Sequence, residues 1–193
     1  MGKFKTFDRN CGLNESAGIK EKGYMTYIKE LASYPMTRAQ VVLAASGVPE
    51  PGDTKILDEP FDFTGAASGE GYFRSFPLLI NRGSVGNLEE GEIGGKTLMN
   101  EAPFFIPGND AVVKEAVECL RMASGCGIFM FPDKANRHQV LGTIESPAYF
   151  ELTGVSGTGG DVVGYACRVF ADTGAINLEY DADTHGIDIT PEA

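Results

Sequence analysis

The sequence predicts a mainly β protein, a β-sandwich or barrel with one flanking α-helix at about residues 110–124. Three observations support this class. The apolar residues fall in short runs, and 25 glycines and 10 prolines among 193 residues supply turns between them. One stretch only, residues 104–125, carries a strong helical signal. Hydrophobic residues make up 42% of the chain, which is enough for a packed core.

About eight strands are predicted, in nine candidate segments. The first, within residues 22–34, is interpreted as a strand, although a short helix also fits its mixed composition. The other predicted strands lie within residues 55–63, 71–81, 96–107, 127–133, 137–145, 148–154, 164–172 and 175–181. Residues 133–136, "DKAN", are predicted to turn a hairpin. The chain shows no internal repeat, so we expect a single domain over 1–193, with a flexible N-terminal arm (about 1–10) and an acidic C-terminal tail (about 181–193).

The helix has recognisable start and stop signals. Asn109 or Asp110 can accept hydrogen bonds from the first-turn N–H groups, and Gly125 suits a left-handed C-terminal stop. A helix of about fourteen residues is marginal alone, so one face must be buried against a sheet. The face predicted to be buried consists of Val113, Val117 and Leu120.

Residues 82–95, "RGSVGNLEEGEIGG", are predicted to form a long polar loop between two paired strands. The segment holds five glycines and three glutamates and has no core pattern. We expect it to be mobile in the free protein and to become ordered on assembly. The residues expected to make that contact are Leu88, Glu89, Glu90, Glu92 and Ile93.

The charge balance excludes some classes of function. Acidic residues outnumber basic ones by 27 to 16, giving a net charge of −11, and such a surface repels nucleic-acid phosphate. No apolar run reaches the roughly 18 residues that a membrane helix needs, so no membrane partner is expected. The four cysteines, Cys11, Cys119, Cys126 and Cys167, form no C-x-x-C pair and are interpreted as buried thiols in a reducing cytoplasm.

No catalytic constellation is visible. His138 is expected on the surface of a strand, without a carboxylate partner. Ser156 lacks the G-x-S-x-G elbow, and "GTGGDVVG" does not match the glycine pattern of a phosphate-binding loop. The sequence therefore favours a non-enzymatic protein without a cofactor, and an enzyme with unrecognised residues is the weaker alternative.

The acidic C-terminal stretch partly matches a calcium-binding loop. Asp181, Asp183 and Glu192 occupy positions one, three and twelve, and Gly186 occupies position six. His185 stands at position five, where Asp or Asn is expected, and the match ends next to Ala193 with no following helix. We favour a simple acidic tail, and no metal site is predicted.

Several segments resemble the tail tube proteins of tailed phages, especially those infecting Bacteroidetes. The most specific are "GGKTLMN" leading into "FFIPGND", and "RHQVLG" followed by "SPA" and "GTGG". "CGLNESAGIK" near the N-terminus is also similar, and together these segments cover most of residues 11–172. Ile106 departs from the resemblance, which would place a polar residue there, and the chain from about residue 173 has no match.

The resemblance implies a virion protein, made in the host bacterial cytoplasm, that closes into hexameric rings stacked into a tail tube. Its partners would be copies of itself, other tail proteins and passing genomic DNA that is not specifically bound. The helix would cover the outer side of the sheet near subunit contacts, and residues 82–95 would lie at the contact between rings. The alternatives within the same class are a distal tail, tail terminator or head decoration protein.

Overall fold

The computed structural model describes residues 22–64, 71–79, 83–90, 97–132, 137–156, 163–172 and 176–187. The strands in chain order are β1 Lys22–Tyr27, β2 Leu31–Ser33, β3 Ile56–Leu57, β4 Asp62–Phe63, β5 Arg74–Pro77, β6 Gly86–Glu90, β7 Thr97–Pro107, β8 Gly127–Pro132, β9 His138–Leu141, β10 Tyr149–Ser156, β11 Gly164–Asp172 and β12 Leu178–Tyr180. The helices are α1 Arg38–Ala44, α2 Ala111–Met122 and α3 Ala182–His185. This is the mainly β class that the sequence predicts.

Two sheets form the body of the protein. The six-stranded sheet has the order β3-β12-β9-β8-β1-β5, in which only the β3–β12 pair is parallel. The four-stranded sheet has the order β10-β11-β7-β6 and is antiparallel throughout. Neither sheet closes on itself in the described part of the chain, so the architecture is an open sandwich and the barrel alternative is wrong.

The sandwich core fills the space between the two sheets. Phe76 and Phe131 of the six-stranded sheet contact Phe104 of the four-stranded sheet, with ring centroids 5.6 and 5.3 Å from Phe104. Tilted rings at this spacing add specific contacts to the burial of apolar surface. Ile106, where the resemblance would place a polar residue, is fully buried in this core.

A second core covers the other face of the six-stranded sheet. Phe61 packs edge-on against Phe73 at 5.0 Å, under the segment that contains β2, β3 and β4. Strand β8 contributes to both cores, because successive side chains of a strand point to opposite faces. Phe129 and Phe131 enter the sandwich core, whereas Ile128 and Met130 enter the second core.

Helix α2 begins and ends close to its predicted limits. The Asp110 carboxylate accepts a hydrogen bond from the Val113 N–H at 2.9 Å, which caps the first turn. After the last turn, Gly125 adopts a φ of 75°, the left-handed conformation that glycine tolerates best. The helix is 12 residues long, and Val113, Val117 and Leu120 are all buried in the sandwich core.

Two elements differ from the predicted strands. Residues 22–34 form β1, a 3₁₀ turn and β2 in place of one strand. Residues 55–63 likewise divide into β3 and β4, with β4 paired to β2 and β3 paired to β12. The tight turns in each segment send the chain from the six-stranded sheet to the layer that covers it.

Helix α1 was not predicted. It is short, and its N-terminus carries a capping box in which the Thr37 side chain accepts from the Gln40 N–H and the Gln40 side chain accepts from the Thr37 N–H. His138, expected on the surface, is instead buried on β9. The β8–β9 hairpin is confirmed, while its predicted turn at residues 133–136 lies outside the described residues.

The prediction of an unstructured loop at residues 82–95 is wrong for its central part. Gly86–Glu90 form β6 and pair with Thr97–Glu101 of β7. The expected pairing of the flanking strands is also wrong, since β5 lies in the six-stranded sheet and β7 in the four-stranded sheet. Backbone hydrogen bonds to β7 supply the stabilisation that the polar side chains of this segment do not.

Candidate assembly surface

Strands β10 and β6 form the two edges of the four-stranded sheet. Every pair in this sheet is antiparallel, so strand direction alternates from β10 through β11 and β7 to β6. The two edge strands therefore run in opposite directions. An edge strand exposes backbone N–H and C=O groups that can pair with a further strand.

The first half of the β10 edge is occupied by the protein's own backbone and by one serine. The Phe150 N–H donates to Ser124 Oγ at 3.0 Å, and the Ser124 hydroxyl donates to the Phe150 carbonyl at 3.2 Å. Just before the strand, the Ala148 N–H donates to the Gly127 carbonyl and the Ala148 carbonyl accepts from the Gly125 N–H, at 3.0 and 2.9 Å. The turn after α2 thus closes this half of the edge.

The second half of the β10 edge has no such cover within the described residues. Alternate residues of an antiparallel strand direct their backbone groups to the same side. The backbone N–H and C=O groups of Phe150 face away from β11, toward Ser124. By the same alternation, the backbone N–H and C=O groups of Leu152 also face away from β11. Leu152 is 41% exposed, and a bulge between Leu152 and Gly154 follows it. Among the described residues, nothing covers the edge of β10 from Leu152 to the end of the strand at Ser156.

The β6 edge is defined by its pairing with β7. The Ser84 N–H donates to the Pro103 carbonyl at 3.2 Å, so Pro103 directs its backbone to the β6 side of β7. By alternation, the β6 residues that bond to β7 lie opposite odd-numbered β7 residues. Asn87 and Glu89 lie opposite Asn100 and Leu98, so their backbone groups face away from β7. Asn87, Leu88 and Glu89 are exposed.

The outer face of the four-stranded sheet points away from the sandwich core and carries a charged cluster. The Arg168 guanidinium lies 2.8 Å from the Glu101 carboxylate and 3.9 Å from that of Glu151. Arg168 also lies over the Phe170 ring, 5.0 Å from its centroid, and Tyr149 stacks on the same ring.

The described part of this outer face is negative. Its carboxylates are those of Glu101, Glu151 and Asp172, which lie on neighbouring strands, and its one guanidinium belongs to Arg168. The described outer face thus has three negative groups and one positive group, an acidic excess like that of the whole chain.

The structure brings together only part of the predicted assembly contact. Leu88, Glu89 and Glu90 lie on β6, at an edge of the sheet, whereas Glu92 and Ile93 lie outside the described residues. Leu88, Glu89 and Glu90 therefore belong to a strand edge and not to a polar loop. Ser124 is not among the predicted residues, because its contact with the distant strand β10 leaves no local sequence pattern.

The calcium-loop match is not supported by the local structure. The Asp181 carboxylate caps α3, accepting hydrogen bonds from the Thr184 N–H at 3.2 Å and the Thr184 hydroxyl at 2.6 Å. These bonds lower the pKa of Asp181, with the Thr184 hydroxyl making the largest contribution. Asp183 lies within α3, and Glu192 lies outside the described residues. The described ranges contain no cluster of three His, Cys, Asp or Glu side chains placed to hold a metal ion.

The cysteines are less uniform than predicted. Cys167 is buried, Cys119 is half-buried and Cys126 is exposed, while Cys11 lies outside the described residues. Burial raises the pKa of the Cys167 thiol to about 12. The prediction of buried thiols is thus confirmed for Cys167 and wrong for Cys126, which lies in the turn after α2 and not on its packed face.

Among the helices of the described segments, none combines the length and the apolar character needed to cross a membrane. Comparisons with protein families, curated proteins and solved structures found no match to this chain.

Proposed function

We propose that this protein is the structural subunit of a phage tail tube, which assembles into rings that stack into a conduit for genome delivery. Two lines of support meet here. The segments "GGKTLMN" and "FFIPGND" resemble tail tube proteins, and their described residues include strand β7 and Asp110, the N-cap of α2. Strand β7 lies in the four-stranded sheet, whose two edges are suited to pairing with further copies.

The main structural support for the proposal is that β6 and β10 run in opposite directions. When a second copy is placed beside the first by rotation about an axis parallel to the strands, its β10 comes next to the first copy's β6. Because these strands run in opposite directions, they meet as an antiparallel pair, and the alternation continues into the next subunit. Contacts between two different surfaces of identical subunits generate rings when the rotation closes. The hexameric ring number follows the family resemblance.

In such a ring, the outer face of each four-stranded sheet lines the lumen. The charged cluster around Arg168 then presents a negative surface to the interior. Negative charge repels DNA phosphates, so genomic DNA passes without being held. The proposed partners are further copies, other tail proteins and DNA in transit; no cofactor takes part, and the proposed location is the virion tail.

Electron microscopy of the purified protein tests the proposal directly. We expect long tubes of stacked rings. Rings that never stack would favour a distal tail, tail terminator or head decoration protein. A protein that sediments as a monomer at all concentrations, also with tail-tip components present, would contradict assembly altogether.

Proline substitutions test which edges pair. Leu152→Pro and Asn87→Pro each remove one N–H that faces away from the sheet, a position where an edge strand tolerates proline. Each variant should fold but fail to form tubes. Leu152→Val and Asn87→Ala keep the N–H groups and serve as matched controls that should form tubes.

Mixing the two proline variants tests the direction of assembly. Asn87→Pro keeps an intact β10 edge and Leu152→Pro keeps an intact β6 edge. An equimolar mixture should therefore give one-to-one dimers by analytical ultracentrifugation, while each variant alone stays monomeric. Dimers formed by one variant alone would indicate a two-fold contact and would contradict ring closure through unlike edges.

A further inference from the structure

We infer that the N-terminal segment of the chain, residues 3–7, adds as a strand to the second half of the β10 edge, residues 152–156, in the free subunit. The segment then has to leave this edge before a neighbouring copy can pair there. The inference rests on the proposed function, because it names a competitor for an edge that takes part in assembly. Residues 1–21 lie outside the described residues.

The edge of β10 is covered in its first half only. Ser124 Oγ bonds to both backbone groups of Phe150, whereas no described residue covers the outward groups of Leu152 in the same way. Proteins usually keep such an edge covered, because its backbone groups pair with any extended segment. The second half of the β10 edge is therefore suited to bind an extended peptide.

The two faces of β10 differ beside this uncovered half. Leu152 is 41% exposed on one face. Glu151 lies on the opposite face with Arg168, whose guanidinium is 2.8 Å from the Glu101 carboxylate but 3.9 Å from that of Glu151. The Glu151 carboxylate is thus loosely paired, and its side chain is 55% exposed. An added strand fits best with cations on the Glu151 face and an apolar group on the Leu152 face.

The N-terminal segment, "KFKTF", has this alternation over its first four positions. Lys3 and Lys5 fall on one face of an extended strand, and Phe4 and Thr6 fall on the other. Beside β10, the two ammonium groups meet the acidic face and the Phe4 ring meets the apolar face. Phe7 falls on the lysine face, so the alternation ends there.

Net charge favours the same contact. Residues 1–10 carry three cations, Lys3, Lys5 and Arg9, against the single carboxylate of Asp8, which gives +2 in a chain whose net charge is −11. Opposite charge attracts this part of the chain to the acidic surface of its own protein, and salt screens the attraction.

The place where the chain enters β1 allows the contact within one subunit. Hydrogen bonds join the end of β1 to the turn after α2, and join that turn to Ala148 at the start of β10. Along these bonded strands, Leu152 lies within about 50 Å of Lys22. The chain from Lys5 to Lys22 reaches up to about 60 Å when it is extended. The segment can therefore reach the β10 edge of its own subunit.

Amide hydrogen exchange of the monomer tests the contact. The Leu152 amide of the full-length protein should exchange at least about tenfold more slowly than that of a variant lacking residues 2–10, because pairing protects an outward N–H. The Phe150 amide, which donates to Ser124 Oγ, is the internal control and should exchange equally in both proteins. Equal exchange of the Leu152 amide in the two proteins would overturn the inference.

A charge reversal that keeps the length of the chain tests the lysine face. Lys3→Glu with Lys5→Glu should remove the protection of the Leu152 amide. Arg9→Glu with Lys20→Glu makes the same change in net charge outside the N-terminal segment and should retain the protection. Loss of protection in both variants would overturn the assignment to this segment.

Mixing distinguishes the segment of the same chain from that of a second copy. The isotope-labelled deletion variant is mixed with unlabelled full-length protein, at a concentration where both sediment as monomers. The Leu152 amide of the labelled protein should stay unprotected. Restored protection would assign the contact to a second copy and would overturn the inference.

Tube formation separates this inference from the proposed function. When only a fraction of the subunits has a free edge, the concentration needed for assembly rises by the inverse of that fraction. The deletion variant should therefore form tubes at a lower concentration than the full-length protein, by the factor measured at the Leu152 amide. Tubes from both proteins at the same concentration would overturn the inference and leave the proposed function intact. No tubes from either protein would overturn the proposed function, while protection of the Leu152 amide would still support the contact.

Discussion

Arg74 and Glu30 form a bidentate ion pair that joins β5 to the turn after β1. The guanidinium nitrogens lie 2.7 and 2.8 Å from the two carboxylate oxygens. The Arg74 guanidinium also lies over the rings of Tyr27 and Tyr72, at 5.0 and 4.5 Å from their centroids. The Arg74 guanidinium thus contacts a carboxylate and two aromatic rings. A planar guanidinium can make all of these contacts, so the site favours arginine over lysine.

Arg74→Met should lower the free energy of unfolding by about 2–3 kcal/mol, because it leaves the Glu30 carboxylate partly buried without its partner. The matched control is Arg121→Met. The Arg121–Glu118 pair has side chains 62% and 54% exposed, against 16% and 19% for Arg74 and Glu30, so its loss should leave the unfolding midpoint unchanged. Urea titration of both variants makes the comparison, and equal effects would contradict it.

Val117→Asp should destabilise the protein on the order of 3 kcal/mol, because it places a carboxylate in the sandwich core without a partner. Val112→Asp introduces the same group in the first turn of α2, where the side chain is 44% exposed against 7% for Val117. A negative charge near a helix N-terminus is favourable, so this variant should be neutral or slightly stabilising. Thermal unfolding of the pair measures the difference, and equal tolerance would show that the buried face is misassigned.

Gly164→Ala should weaken the pairing between β11 and β7. A Cβ at Gly164 would overlap the Ile106 carbonyl oxygen and would approach the Phe105 ring to 2.6 Å. Such overpacking costs about 1–3 kcal/mol. A Cβ at Gly86 meets nothing within 4 Å, so Gly86→Ala is the matched control and should be tolerated. Denaturant midpoints of the two variants test this, and the prediction fails if Gly164→Ala is as stable as Gly86→Ala.

Stability should fall as the pH rises from about 9 toward 12, in part because of Cys167. Burial raises the pKa of this thiol from 9.0 to about 12, so in this window the unfolded chain loses the proton and the folded chain keeps it. The contribution is fully present below pH 9. Cys167→Ala should reduce the slope of unfolding free energy against pH, and a slope equal to wild type would contradict the assignment. Some slope should remain, since burial also raises the pKa of Tyr34.

The elements that could be predicted from sequence are those whose signals are local. Helix α2 has a capping residue, a periodic apolar face and a glycine stop, and all three act within the helix itself. The capping box at Thr37 and Gln40 is equally local, and it is the sequence signal that marks the start of α1.

The edges of the four-stranded sheet could not be predicted, because they depend on strand pairing and hydrogen bonds between segments that are distant in sequence. Strand β6 has a polar, glycine-containing sequence and exists through its pairing with β7. The hydroxyl of Ser124 meets Phe150 only after the chain has passed through β8 and β9. The candidate site is thus built from contacts between segments that are distant in sequence. Periodicity and turn residues report only local structure and do not predict such contacts.

Strand β8 couples the unfolding of the two cores. Its side chains alternate between the two cores, so neither core can lose its packing while β8 stays in place for the other. The two cores should therefore melt together, in a single calorimetric transition, and the amides of Ile128–Phe131 should exchange with solvent only through global unfolding. Local opening is left to the sheet margins, while the interior between the sheets stays packed.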